Sequence, residues 1–201
     1  MKRFSVAMAM LVALVGPLHA QLKFNPNQVG ILRWYKANRT ASFKVGSGPG
    51  VMAFDGACMW VANAFDNTVT KVQASDGMVL GTFPVGANPE GMAYDGANMW
   101  VVSENSNNVT KLRGSDGMVL GIFRLGKGPG GGIAFDGANI WVSGGADNTV
   151  YKLRASDGSQ LATFTFPSVG GLAFDGANIW LSNINNATVT KKQRTSISCF
   201  W

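Results

Sequence analysis

Four segments of the chain are near copies of one another: Phe54-Asp55-Gly56-Ala57-Cys58-Met59-Trp60, Tyr94-Asp95-Gly96-Ala97-Asn98-Met99-Trp100, Phe135-Asp136-Gly137-Ala138-Asn139-Ile140-Trp141 and Phe174-Asp175-Gly176-Ala177-Asn178-Ile179-Trp180. Their tryptophans lie 40, 41 and 39 residues apart. A unit of that length made of short β-type runs cannot bury both its faces alone, so neighbouring units must stack to form a core.

Within one copy, apolar runs alternate with turn signals and place four strands: Val51 to Phe54, Met59 to Ala62, Thr68 to Val72 and Val79 to Phe83. Asp55-Gly56 and Ser75-Asp76-Gly77 supply the reversals, since glycine accepts positive φ and aspartate bonds its own backbone. The expected fold is all-β, a β-propeller of four-stranded antiparallel blades. The first two strands, almost continuously apolar, are expected inward and the mixed third strand toward the outer edge. The repeated tryptophan is assigned to the core between blades. Differences in spacing are placed in the connection between blades, of the form Val-Gly-x-x-Pro-x-Gly.

Ala41 to Gly46 matches the fourth-strand ending Gly81 to Gly86, whereas Gly171 to Lys192 supplies only strands one to three of a last blade. The N-terminal strand is therefore expected to close that blade, giving about four blades. The alternative is a fragment of a larger propeller, an open arc prone to self-association. The chain divides into a signal peptide (1–20), a lead segment (21–40), the repeats (41–192) and a divergent tail (193–201).

Residues 1–20 have the charged start, apolar stretch and small-residue ending of a secretory signal, which points to a secreted or periplasmic protein. The apolar stretch is interrupted by Gly16-Pro17 and falls short of the ~20 residues of a membrane span, so stable membrane insertion is not expected. Its removal takes Lys2 and Arg3 and lowers the net charge from +6 to +4, with the remaining cations scattered. Such a chain has no basic stripe for nucleic acid.

His19, the single histidine, leaves with the same segment. A mature chain without histidine has no imidazole base for Ser/His/Asp or Cys/His chemistry and lacks the commonest zinc ligand. Cys58 and Cys199 have no metal-site spacing, and free or incidental pairing is the reading preferred over a designed disulfide. Seven of the 11 acidic residues occupy repeated turns, each turn with one carboxylate, so neither calcium nor another metal or cofactor is expected.

Trp60-Val61-Ala62-Asn63, Trp180-Leu181-Ser182-Asn183 and Asn67-Thr68-Val69-Thr70-Lys71 resemble the repeats of bacterial secreted β-propellers of the YVTN type, close to NHL-like and streptogramin-lyase-like propellers. The resemblance covers about residues 41 to 192. It implies a propeller fold and a range of roles, mostly surface and binding proteins. The streptogramin (virginiamycin B) lyases in this group use a histidine, a glutamate and magnesium, and the mature chain has no histidine to match.

Candidate residues are sought where the copies differ, in the loops expected to emerge on one face. These are Phe65, Asp66, Asn88, Glu90, Glu104, Asn105, Asn107, Lys127, Asp147, Asn148, Asn183 and Asn185. The competing reading of their Asn and Asp is simple turn formation. The expectation is a non-catalytic binding scaffold for a polar ligand, a glycan or a protein. The alternative is a streptogramin-lyase-like or polysaccharide lyase using Glu90 or Glu104.

Overall fold

The computed structural model describes residues 40–126 and 128–193. The signal segment, most of the lead segment, Lys127 and Cys199 lie outside them, so the expectations placed there stay with the sequence. No helix among the described residues is long and apolar enough to cross a membrane.

Among the described residues fifteen strands follow in order, all antiparallel to their neighbours in the sheet. The first sheet contains β1 (Pro49–Phe54), β2 (Cys58–Asn63), β3 (Thr68–Gln73) and β4 (Val79–Pro84). The second contains β5 (Pro89–Tyr94), β6 (Asn98–Ser103), β7 (Asn108–Arg113) and β8 (Val119–Arg124). The third contains β9 (Pro129–Phe135), β10 (Asn139–Gly144), β11 (Thr149–Arg154) and β12 (Gln160–Thr165). The last has three strands, β13 (Leu172–Phe174), β14 (Asn178–Asn183) and β15 (Thr188–Gln193). These sheets are the blades of a β-propeller architecture, with β1, β5, β9 and β13 innermost.

Neighbouring blades pack face to face, giving three junctions among the four sheets. Cys58, Trp60, Ala62 and Val69 of the first blade meet Met92, Met99, Val101 and Leu112 of the second. Trp100, Val102 and Val109 meet Ile140, Val142, Tyr151 and Leu153. Trp141 and Val150 meet Val169 and Ile179. Trp60, Trp100 and Trp141 are fully buried and lie against Phe83, Phe123 and Phe164 at 5.8, 5.5 and 5.6 Å between ring centroids. The core expectation holds for these three. Trp180 is 36% exposed, because no blade among the described residues covers its face.

The third strand stands third of four from the axis, as expected, but its packing is not partial: β3 and β7 are nearly as buried as the second strands, while the fourth strands alternate between exposed and half-buried. The lysine of the third strand makes this possible. Lys71 lays its ammonium 5.0 Å from the Trp60 ring centre and donates to the Gly114 carbonyl at 2.5 Å, and Lys111 does the same over Trp100 and to Ala155 at 2.7 Å. A cation over an aromatic face with carbonyl partners from the next blade can be buried without an unmet charge. The charged residue that made this strand look mixed thus joins neighbouring blades.

The extra residue of the third repeat falls in the Pro-x-Gly part of the connection pattern, but that part is strand rather than loop. Four residues separate β4 from β5 and four separate β8 from β9, but β9 has 7 residues where β5 has 6. The insertion is taken up within Gly130-Gly131-Gly132, where the register shift of the inner strand that the first two blades also carry is one residue larger. Here the inner strands approach so closely that a Cβ on Gly91 would stand 2.4 Å from the Gly131 carbonyl oxygen.

Closure of the last blade by the N-terminal strand is not found. Residues 41–46 carry no strand, and among the described residues β15 has no partner other than β14. Phe43 instead sits over Gly77 of the first blade, as Phe83 sits over Gly117 and Phe123 over Gly158. It therefore occupies the position of a fourth-strand phenylalanine from a blade preceding β1. No described third strand lies beside the segment, and extended backbone does not register as a strand without a ladder.

Candidate functional site

The repeated turns consume most of the acidic residues. In each first turn the aspartate accepts from the backbone N–H groups two and three residues on and from the tryptophan indole: Asp136 accepts from Ala138 N at 2.9 Å, Asn139 N at 2.7 Å and Trp141 Nε1 at 2.8 Å. Asp55, Asp95 and Asp175 repeat the arrangement with Trp60, Trp100 and Trp180. In the second turns Asp76, Asp116 and Asp157 accept from Met78, Met118 and Ser159 N at 3.0 Å each.

These donors set the acidity of the carboxyls. Burial pushes Asp95 and Asp136 up, but the indole, backbone and Asn donors outweigh it and hold both below the ordinary range. At Asp175 the Trp180 indole and two backbone N–H groups hold the carboxyl well below that range, and at Asp157 the Ser159 backbone and hydroxyl lower it to about 2. A group depressed in the folded state contributes stability above its unfolded pKa of about 3.9, and that contribution is lost as pH falls through the folded value. We therefore expect urea midpoints to be flat from neutral pH to about 5 and to fall between about 4 and 2 as these carboxylates are protonated. A midpoint rising on acidification across that window would contradict the assignment.

The loop candidates divide into separate groups. Asn107 and Asn148 have φ of 52° and 52°, and Asn67 and Asn88 have 57° and 56°, the left-handed region that asparagine tolerates. Asn67 Oδ1 accepts from Asn88 N at 3.0 Å and Asn107 Oδ1 from Gly128 N at 2.6 Å, so each ties its loop to the next blade. Asp66 accepts from Ser47 N at 2.6 Å. Asp147 takes the hydroxyls of Thr149 and Tyr151, and burial together with that bond raises the phenol. Asn183 is buried at the end of β14, donating to Thr188 and Thr190 hydroxyls at 3.0 and 2.8 Å, as Asn63 does to Thr68 and Thr70. Asn185 lies in a short 3-10 turn (Ile184–Asn186), where its N–H meets Ser168 Oγ at 3.3 Å. Phe65 and Asn105 are exposed at loop tips. Lys127 lies outside the described residues.

One group converges. Asn88 Nδ2 donates to Glu90 Oε1 at 2.8 Å and to Glu104 Oε2 at 3.1 Å, so two carboxylates share one amide; Glu104 stands in the loop after β6, but Glu90, expected in a loop, lies at the start of β5 because the inner-strand ladder already begins at Pro89. Glu90 also lines a cavity of about 570 Å³ at the axis, whose wall comes from the inner strands of all four blades: Val51, Glu90 and Met92, Gly130 to Ile133, and Gly170 to Leu172, with Ser143 and Ile184 alongside. Loop reasoning missed this glycine-rich wall. The signal for it was Gly130-Gly131-Gly132 and Gly170-Gly171, runs that break an apolar inner strand where backbones meet. The wall offers one carboxylate and the Ser143 hydroxyl, which accepts from Gly132 N at 3.0 Å. Among the described residues no group of three His, Cys, Asp or Glu is placed to hold a metal.

No family model matches the sequence, and no curated protein matches it. Solved structures do resemble it. The computationally designed Ika4 protein aligns with a TM-score of 0.67 at 15% identity over 76% of this chain and 95% of its own. RRP9 WD40 repeats align with 0.58 at 15% identity over 76% and 52%, and BamB from Moraxella catarrhalis with 0.61 at 13% over 72% and 42%. The chain thus spans about half the length of several structures it matches, RRP9 at 52% and BamB at 42%. At such identities the likeness establishes architecture, and it agrees with the stacked antiparallel sheets: the chain has a β-propeller fold.

Proposed function

We propose that this is a secreted, non-catalytic β-propeller of the YVTN or NHL-like kind that binds a polar partner, a glycan or a peptide, at its loop rim and axial mouth. The observation that carries this reading is the engagement of all 11 carboxylates by donors of the protein itself, nine of them in turn or loop bonds and Glu90 and Glu104 through Asn88. General acid–base catalysis needs a group with acidity tuned toward neutral pH. The displaced aspartates here move the other way. A rigid rim with fixed amides and carboxylates suffices to hydrogen-bond a polar partner without such tuning. The N-terminal segment supports export.

The pairing of Glu90 and Glu104 favours one second reading, a magnesium-dependent lyase. The two readings separate in one assay. Purified protein incubated with magnesium and a streptogramin, or with wall polysaccharide, is expected to leave both unchanged by mass spectrometry. Turnover that disappears in Glu90→Gln or Glu104→Gln protein would overturn the binding reading.

A further inference from the structure

The two open faces of the array are complementary, and the structure itself shows how they fit. On the first blade Met52 and Phe54 are 60% and 54% exposed; their counterparts Met92 and Tyr94 pack on the first blade's tryptophan face. On the last blade Val189 is 63% exposed beside Trp180, whereas Val69, Val109 and Val150 are buried under the next blade. The same junction is thus built three times within the chain, and each of its halves is left over once.

A strand is left over too. In the complete blades Val69 pairs with Phe83, Val109 with Phe123 and Val150 with Phe164, each phenylalanine lying over its blade's tryptophan. Among the described residues the equivalent Val189 on β15 has no such partner. Phe43, in the segment that matches a fourth strand, already sits over Gly77 in the position of a preceding blade's phenylalanine.

We infer that a second copy of this chain docks head to tail on the array, its first blade covering Trp180 and its residues 41–46 adding the fourth strand to β13–β15. Val189 then faces the second copy's Phe43, whose ring lies over Trp180. Reciprocal docking by two copies closes a ring, satisfies both exposed strand edges and encloses the axial cavity, a heterologous contact that terminates at a dimer. This proposal is independent of what the mouth binds.

Light scattering coupled to gel filtration on the full chain at tens of micromolar should give twice the chain mass. Met52→Glu and Val189→Glu each place a charge in the junction but alter a side chain exposed in the single copy, so each should be a folded monomer with the native circular-dichroism spectrum. Mixing the two variants leaves one junction intact and should restore a dimer. A monomeric parent protein would overturn the proposal in favour of cover by the chain's own terminal residues. Variants that remain dimeric, or a mixture that remains monomeric, would overturn it as well.

Discussion

Replacing Trp141 by alanine is expected to cost about 3 to 5 kcal/mol, the range for large aromatic truncations in packed cores. The indole is fully buried, lies 5.6 Å from the Phe164 ring, carries Lys152 at 4.9 Å over its face and donates to Asp136. Its removal leaves a cavity between the third and last blades, strands the Lys152 cation and leaves the Asp136 carboxylate one donor short. The surrounding sheets cannot collapse onto the void, because their spacing is fixed by the ladders on either side. Urea denaturation monitored by far-ultraviolet circular dichroism measures the loss. Asn105→Ala, an exposed loop change, should stay within about 0.5 kcal/mol in the same experiment. Equal shifts for the two variants would show that Trp141 is not in a packed core.

Asp136→Ala is expected to cost about 2 to 4 kcal/mol, because a buried donor stripped of its acceptor loses about 1 to 3 kcal/mol and several are stripped together. The carboxylate is fully buried and serves two backbone N–H groups and the Trp141 indole at once. Asp136→Asn retains one acceptor oxygen and should lie between the alanine variant and the parent. The same substitution at Asp175 should cost clearly less, although its hydrogen bonds are the same in kind, because that turn is exposed and water replaces the lost acceptor. The comparison separates the chemistry of the turn from its burial. Equal midpoint shifts at Asp136 and Asp175 would refute that account.

The candidate site was only partly legible in the sequence. Glu90, Glu104 and Asn88 were marked as positions where the repeats differ, and the structure joins them through one amide. Asn107 and Asn148 were marked by the same criterion but adopt left-handed turn conformations, and Asn183 bridges two threonines inside a sheet. Sequence difference between copies does not separate a rim residue from a local turn solution, because both occur at the same loop positions. The cavity wall was not read at all. It depends on how closely the inner strands of neighbouring blades approach, a distance that no single repeat encodes.

The blade itself was determined by the sequence, because everything that specifies it is local: the Asp-Gly turns, the tryptophan five residues after each turn aspartate, and apolar runs of strand length, repeated four times. Contacts between blades were decided by tertiary structure. Whether the third-strand lysine faces water or buries over a tryptophan depends on carbonyls 43 to 45 residues further along the chain. Where the matching N-terminal segment goes was decided there too. Its sequence specifies a fourth strand, but a strand exists only beside a third, and the only unpaired third strand is β15, at the opposite end of the described array.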